Sequence, residues 1–506
     1  MGIVIDEAAC IGCGLCEIAC AYDAIDVLVK ARVDNDLCTD CNVCPDYCPT
    51  DAIVMETPPA PAAGLPAEAT FDVAVIGSGL GGLCSGALLA NQGYKVLVLE
   101  RNPSVGGRFS SLKHKQLMLP TGGSLVGMGG PLEQVCNEVD APFDVTPFQV
   151  SAYWVKGKGW IDPGAGSGQL RRALVEISGE PETVNAVMAG MKDALVSKQY
   201  PSGSLLQWLG SLSDSDDIER IFRAIIAAAF GPEDVPAVDF FELIAATSGK
   251  GIGLARRGLI HLMGGLAKAI RQRDGEVWTR TSARAITLAG ATRLDGNRAT
   301  GVLVERGGQR CTVKADVVVS NAGPHQTARL LDPDSLDKQY RAHLDERAQA
   351  VSSISIHLIS DRPLLADIPG AVYTVVGARR ICMIFDATLT AEWAPPGVHI
   401  TEIYPLTVAD YEAPVDLEAQ LDEAAQDLDE MSPGWREHAE MKALCLSGEF
   451  PGLHAWPGSG VSVETPIANL FLVGDGCASK GYAGGAAAAA SAQRAAAMVQ
   501  ERLPLA

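Results

Sequence analysis

"FDVAVIGSGLGGLCSGALLANQGYKVLVLER", residues 71–101, decides the fold of most of this chain. "DVAVIG" is a continuous apolar run and reads as a buried strand. "LCSGALLANQG" reads as a helix with small residues on its sheet-facing side. "KVLVLE" reads as a second, parallel strand ending in Glu100. Gly77, Gly79 and Gly82 form G-x-G-x-x-G between strand and helix, and an acid closes the next strand near the distance a dinucleotide site needs. Gly77 makes the tight turn, Gly79 lets the backbone approach a pyrophosphate, and Gly82 lets the helix close on the strand. The helix N-terminus faces the phosphate charge. Glu100 accepts hydrogen bonds from the adenosine ribose.

A different pattern precedes it. "CIGCGLCEIACAYDAI", residues 10–25, and "CTDCNVCPDYCPTDAI", residues 38–53, both read C-x2-C-x2-C-x3-C. Eight of the 14 cysteines fall in residues 10–48, and the rest are scattered as small buried apolar residues are. A disulfide framework, a zinc site and iron–sulfur clusters compete for this pattern. Zinc ribbons lack the third and fourth cysteine of each run. In the bacterial cluster run, three cysteines bind one cubane and the fourth crosses to the other. Cys10, Cys13, Cys16 and Cys48 are therefore assigned to one [4Fe–4S] cluster, and Cys38, Cys41, Cys44 and Cys20 to a second. The second run ends Cys48-Pro49; the first ends Cys20-Ala21, departing in the proline only. "AYDAIDVLV" and "PTDAIVMET" repeat the flanking helix and strand. Residues 1–56 thus resemble bacterial-type two-cluster ferredoxins.

Composition narrows the partners. Net charge is −21, which disfavours nucleic acid and anionic membrane surfaces. Within residues 1–56, eleven acidic and two basic residues make a face that steers a basic redox partner or is only solvated. No run of 18 apolar residues marks a transmembrane segment, and "MGIVIDEAAC" has no basic start or apolar signal core. A cytoplasmic location is expected, where disulfides are rare.

The far end of the chain adds "NLFLVGDGCASKGYAGGAAAAASAQRAA", residues 469–496: a strand, a glycine-broken loop and an alanine-rich helix. "RNPSVGGRFSS" after the second strand adds Arg101, Gly107 and Arg108 beside the dinucleotide. With "GNRATGVLVE" and "ADVVVSNAGP", these pieces resemble the FAD-binding phytoene desaturase and amine oxidase superfamily. The resemblance implies FAD as the cofactor. It puts Gly474 and Asp475 at the ribityl phosphate, Val277 at adenine through its backbone, and the N-terminus of the last helix at the flavin ring. It is specific at the FAD end and weak between.

The expected fold class is α/β: an α+β ferredoxin module, then a Rossmann-like FAD-binding domain with an inserted α+β substrate or cap domain. The ferredoxin domain spans 1–56. Residues 57–70, rich in Pro and Ala, form a linker. The discontinuous FAD domain takes 71–130, 261–334 and 451–506, and the cap takes 131–260 and 335–450. No second complete G-x-G-x-x-G provides a separate NAD(P) domain, so electrons are expected to pass through the clusters.

Acid–base candidates are poor. The eight histidines show no metal or nucleophile spacing, and no hydrolase motif occurs. Tyr482, before the last helix, is the candidate proton donor, with packing as its alternative. Tyr153 and Trp154 are candidates for the pocket or for ordinary core. Arg256 and Arg257 either meet a substrate carboxylate or are solvated. The expected activity is an iron–sulfur flavoprotein oxidoreductase that takes electrons from a low-potential donor protein and reduces a carbon–carbon double bond of an apolar or acyl substrate. Its alternatives are a desaturase exporting electrons through the clusters to an acceptor, an electron-transfer subunit with partner subunits in a larger redox complex, and a redox-neutral polyene isomerase.

Overall fold

The computed structural model describes residues 3–20, 24–27, 30–35, 38, 44–55, 64–114, 116–148, 150–230, 234–247, 251–289, 297–348, 353–368, 370, 372–406, 416–446, 460–477 and 482–504. Cys41 and linker residues 57–63 lie outside them.

The N-terminal module repeats one plan. Asp6 O accepts from Cys10 N at 2.9 Å, and Asp34 O accepts from Cys38 N at 3.0 Å. A short helix follows in each half, Leu15–Ala19 and Cys44–Tyr47, and then a strand, Ile25–Val27 and Ile53–Met55. The strand before the first half, Ile3–Ile5, pairs antiparallel with the strand after the second. The strand after the first half pairs with Ala31–Val33, which opens the second. The duplicated sequence therefore closes on itself as a small α+β unit.

The dinucleotide layer is a seven-stranded sheet. Its order runs Glu276–Trp278, Val96–Leu99, Glu68–Ile76, Gln309–Ser320, Arg298–Arg306, Ser282–Ala289, with Leu470–Leu472 also pairing Gln309–Ser320. The first four strands are parallel neighbours, and their central residues, such as Val73, Val75, Val96 and Val98, are fully buried. Continuous apolar runs suit parallel strands covered on both faces. The helix Leu80–Asn91 is covered by the last helix, Gly484–Arg502, in one apolar core. Linker and strand overlap: Glu68, Ala69 and Thr70, placed in the 57–70 linker from composition, pair with Thr312, Val313 and Lys314. Ladder hydrogen bonding recruits them although the apolar run begins later.

The second sheet also has seven strands, in the order Gly159–Ile161, Val150–Val155, Val372–Val376, Ile381–Asp386, His399–Pro405, Ser353–Ser360, Ala439–Leu446. Its strands alternate. Tyr373, Ile384, Ile403 and Ile356 pack under the helix Leu417–Met431, while Thr374, Met383, Glu402 and Tyr404 line a cavity on the other face. Helices Gln169–Ser178, Pro181–Ser197, Asp216–Phe230 and Ala237–Thr247 share a further core that includes Tyr153.

Two helices sit differently from the boundaries at 131 and 335. Leu132, Val135 and Cys136 of Pro131–Glu138, and Leu344 of Lys338–Arg347, enter the core of the dinucleotide layer. Helical period reveals an apolar face but not which sheet that face covers. Among the described residues no helix is long and apolar enough to cross a membrane.

Candidate functional site

A cavity of about 1000 Å³ lies where the two sheets meet. Part of its lining is a glycine cradle. Gly77 adopts φ 88°, a left-handed conformation that glycine takes without strain. Gly79 is the N-cap of the helix Leu80–Asn91 and has no side-chain cap, so the first helical N–H groups are open toward the cavity. A Cβ on Gly79 would stand 2.3 Å from Asn321 Nδ2, and one on Gly82 would stand 2.0 Å from Gly77 O. The cradle thus admits no side chain at Gly82, where backbone stands in the way, and at Gly79 only if the Asn321 amide moves aside. Asn321, which the motif did not reveal, sits at its centre, and its amide is also 2.9 Å from where a Gly474 Cβ would lie. The segment "SNAGP" carried that signal, because a polar residue there ends a buried parallel strand.

Glu100 is held ready beside the cradle. Its Oε2 accepts from Ser78 N at 2.9 Å and Ser78 Oγ at 2.5 Å, and its Oε1 accepts from Asn102 N at 2.8 Å. Arg108 and Asp475 form a two-pronged pair, Nη1–Oδ2 3.0 Å and Nη2–Oδ1 2.8 Å, and both line the cavity with Gly107 and Gly474. Ala483, Gly484 and Gly485 bring the start of the last helix to the same wall; Tyr482, half-buried, is not in the lining. Val277 is not in it either. It pairs with Val98 on an edge strand, and the chain reaches the cavity four residues later, at Thr281, Ser282, Ala283 and Arg284. Arg280, with φ 53°, turns the backbone between the two.

The cysteines ring a separate, smaller cavity lined by Cys10, Cys13, Cys16 and Cys48. The fourth cysteine of the second run therefore joins three from the first. Burial, then neighbouring Cys13, Cys48, Cys10 and Cys44, push the Cys16 thiol well above its ordinary value. A proton would be displaced there only by a strong cationic centre. Backbone donors already point at the sulfurs: Gly12 N and Ala31 N to Cys10 Sγ at 3.4 Å, Ala24 N to Cys20 Sγ at 3.3 Å, and Ala52 N to Cys48 Sγ at 3.2 Å. Such N–H···S bonds favour thiolate and tune cluster potential. Among the described residues no three His, Cys, Asp or Glu side chains are grouped to hold a single ion. A ring of cysteines around a cavity suits a cubane, which takes one sulfur per iron.

The two cavities share a wall. Cys48, Pro49 and Thr50 line both. The module is fixed there by Arg101 Nη1 donating to Pro49 O at 3.1 Å, and by Lys442 Nζ meeting Glu17 Oε1 at 3.1 Å. Leu15 and Cys13 pack with Leu117, Phe385 and Trp393.

Another part of the lining is apolar, with Val150, Ile225, Leu243 and Ile252. Tyr153 and Trp154 are buried in two different cores instead. Arg256 meets Asp144 at 3.1 Å and Glu392 at 3.1 Å, and Arg257 meets Asp144 at 3.4 Å, so both cations are paired within the chain. Two ionisable groups, Tyr404 and Glu402, enter the lining from the strand His399–Pro405. Tyr404 oxygen accepts from Ser124 N at 2.7 Å and Leu125 N at 3.3 Å, and burial pushes its hydroxyl up to about 12. Glu402 lies two residues earlier, with His357 Nδ1 at 2.5 Å from its Oε1. A glutamate amid the strand "HITEIYP" was the only sequence signal for the last pair.

A strand–glycine–helix cradle, a second loop carrying Arg108, and a C-terminal strand and helix carrying Asp475 all converge on one cavity. Residues 80–500 match the family described as flavin containing amine oxidoreductase. The chain belongs to that family. Residues 3–55 match the 4Fe-4S dicluster domain. The family member described here is similar to all-trans-retinol 13,14-reductase of Rattus norvegicus, 25% identical over 306 residues, or 53% of this chain and 49% of the relative. The chain thus spans about half the length of that relative. It is similar to a 4,4'-diapophytoene desaturase (4,4'-diapolycopene-forming) of Methylomonas sp, 23% identical over 362 residues, covering 64% of this chain and 68% of that one. An oxidoreductase from Methanosarcina mazei, solved as a crystal structure, superposes with a TM-score of 0.72 at 26% identity, covering 83% of this chain and 99% of that one. The chain is therefore a flavin oxidoreductase of that family that carries a 4Fe–4S ferredoxin domain.

Proposed function

We propose that the chain passes electrons between two [4Fe–4S] clusters and FAD, and reduces a carbon–carbon double bond of an apolar or acyl substrate. The observation that carries this reading is the wall formed by Cys48, Pro49 and Thr50, common to the cysteine cavity and the dinucleotide cavity. One-electron centres at that wall would stand beside a group able to take one electron or two.

Gly77, Gly79 and the helix behind them would take the pyrophosphate, Glu100 the ribose, and Asp475 with Arg108 the ribityl end. Cys10, Cys13, Cys16 and Cys48 would hold the cluster next to the flavin; Cys20, Cys38, Cys41 and Cys44 the outer one. When bound, FAD supplies hydride to carbon and accepts single electrons. The chain's own part is to bind, to orient and to keep water away. Val150, Ile225, Leu243 and Ile252 give an apolar floor suited to a hydrocarbon or acyl chain. The name of the rat relative, a reductase of retinol, favours reduction of a polyene-like double bond. A low-potential protein donor would dock on the acidic ferredoxin face.

Anaerobically purified protein should carry one FAD and about eight irons, one cubane per cysteine set. Flavin reduced by a small reductant should be reoxidised by unsaturated apolar or acyl compounds, with the saturated product appearing in step. Reoxidation by none of a broad panel would overturn the reading.

The Methylomonas relative, a desaturase, favours the reverse direction. Measured potentials separate the two: clusters below the flavin drive reduction, and clusters above it drain electrons from a desaturation.

A further inference from the structure

The cavity wall contains a buried acid backed by a buried histidine. Along His399–Pro405, residues alternate between the two faces of the cap sheet. Ile403 enters the core beneath the helix, whereas Glu402 and Tyr404 face the cavity. Glu402 is 1% exposed and His357 is 0% exposed. They stand directly opposite on adjacent antiparallel strands, with Nδ1 and Oε1 at 2.5 Å. Their neighbours on that face include Met383, Phe385 and Ile359, so apolar residues alone would complete the wall. Burying an acid and an imidazole there is costly, and hydrophobic replacements are often no worse for stability. An acid and an imidazole buried together in a cavity wall are candidates for proton chemistry.

The pair is also incomplete. His357 Nε2 is buried with no hydrogen-bond partner among the described residues, although each imidazole nitrogen donates or accepts. The next strand supplies what lies beyond. Lys442 is opposite His357 on its other side, so Glu402, His357 and Lys442 occupy one rung across three strands and project from the same face. Lys442 meets the exposed Glu440 at 2.9 Å and Glu17 of the N-terminal module at 3.1 Å. The rung therefore runs from the cavity to the surface. The remaining charged groups on adjoining strands, Asp386 and His399, pair with each other at 3.3 Å, and Asp386 lies on the opposite face with Thr401. Tyr404 is a poorer acid, since burial pushes its hydroxyl up to about 12.

We propose that Glu402 is the catalytic acid that protonates substrate carbon in this cavity, and that His357 recharges it from the Lys442 end of the rung. This rests on the reading of the chain as a double-bond reductase. The alkene gains a hydride at one carbon from the bound flavin and a proton at the adjacent carbon from the Glu402 carboxyl. The π bond is replaced by two C–H bonds, and the flavin is left oxidised. The Glu402 carboxylate takes its proton back from the His357 imidazolium, which is reprotonated from solvent. The protein donor would restore two electrons through the clusters, and a proton from solvent would complete the reduced flavin. His357 is a positioning and relay residue, because it touches Glu402 and not the cavity lining.

The test uses full-length protein loaded with FAD and clusters. In Glu402→Gln, product formation should fall by roughly 100- to 10,000-fold, with FAD content, cluster content and flavin reduction by a small reductant unchanged. An infrared difference spectrum gives a second readout that needs no substrate. Negative charge placed in the cavity by flavin reduction raises the proton affinity of a neighbouring carboxylate, so wild type should gain a protonated-carboxyl band on reduction that E402Q lacks. His357→Gln keeps a donor for Glu402 and should retain the band, while slowing turnover and moving its pH profile. Absence of the band in wild type, or full turnover in E402Q, would overturn the proposal. Should wild type reduce no alkene, the reductase reading fails, and the infrared result still decides whether Glu402 takes up the proton. Should E402Q lose FAD, the loss of the pH shift in His357→Gln would overturn the relay.

Discussion

The Pro49 carbonyl accepts a hydrogen bond from the Arg101 guanidinium at 3.1 Å. One residue directly follows the last cysteine of the second run; the other directly follows the acid that ends the dinucleotide strand. The two sequence motifs, separated by a linker, thus touch at their ends. Arg101→Ala should leave FAD and iron content intact and weaken docking by about 0.5–1.5 kcal/mol. The rate of flavin reduction by a protein donor should drop, and the rate with a small reductant should not. Equal rates with both reductants, each unchanged, would show that this contact does not position the module.

Gly79→Val tests the cradle. A Cβ alone would come within 2.3 Å of Asn321 Nδ2, and valine adds two further methyl groups. Bound flavin absorbance should vanish while iron and sulfide remain. Flavin retained at wild-type stoichiometry would relocate the site.

Asp475→Ala should be milder. It removes one carboxylate and leaves Arg108 without its two-pronged partner, so flavin affinity should fall by roughly tenfold, about 1.4 kcal/mol. Titration of apo-protein with FAD measures this. A loss as complete as that of Gly79→Val would mean that the pair builds the site rather than trimming it.

Tyr404→Phe should expose a pH dependence. The hydroxyl oxygen holds Ser124 N and Leu125 N, so its removal should cost about 1–3 kcal/mol near neutral pH. Burial raises the folded-state value to about 12. A raised value means that the stabilisation is complete below the ordinary tyrosine value of 10.0 and is lost as pH climbs through about 12. The stability gap between wild type and the variant should therefore narrow in alkali. Denaturant midpoints across that range check it; a constant gap would place the ionisable proton elsewhere.

Local geometry explains what could be read from residues alone. Glycines at a tight turn, an acid at a strand end and cysteines at cubane spacing each act within one short segment, so Gly77, Glu100 and Cys10 were legible. Asn321 and Tyr404 were not, because they reach the cavity from strands whose neighbours are set by topology. His357 and Glu402 are 45 residues apart and meet only through sheet register. Val277 itself lies outside the cavity lining, because the left-handed Arg280 delays the backbone's arrival until Thr281. The helices Pro131–Glu138 and Lys338–Arg347 show their apolar stripes plainly, yet nothing in a stripe names the sheet it will cover.

The sheet face that walls the cavity also seats the cysteine loop, with Cys13 and Leu15 in one core with Met383, Phe385 and Trp393. A clamshell swing of that sheet would tear this core apart, and packed cores do not deform by degrees. Molecules must come and go by local loop breathing instead. On the proposed reading, electrons from the clusters would then not have to wait for a lid, because Cys13 and Leu15 stay seated on that sheet.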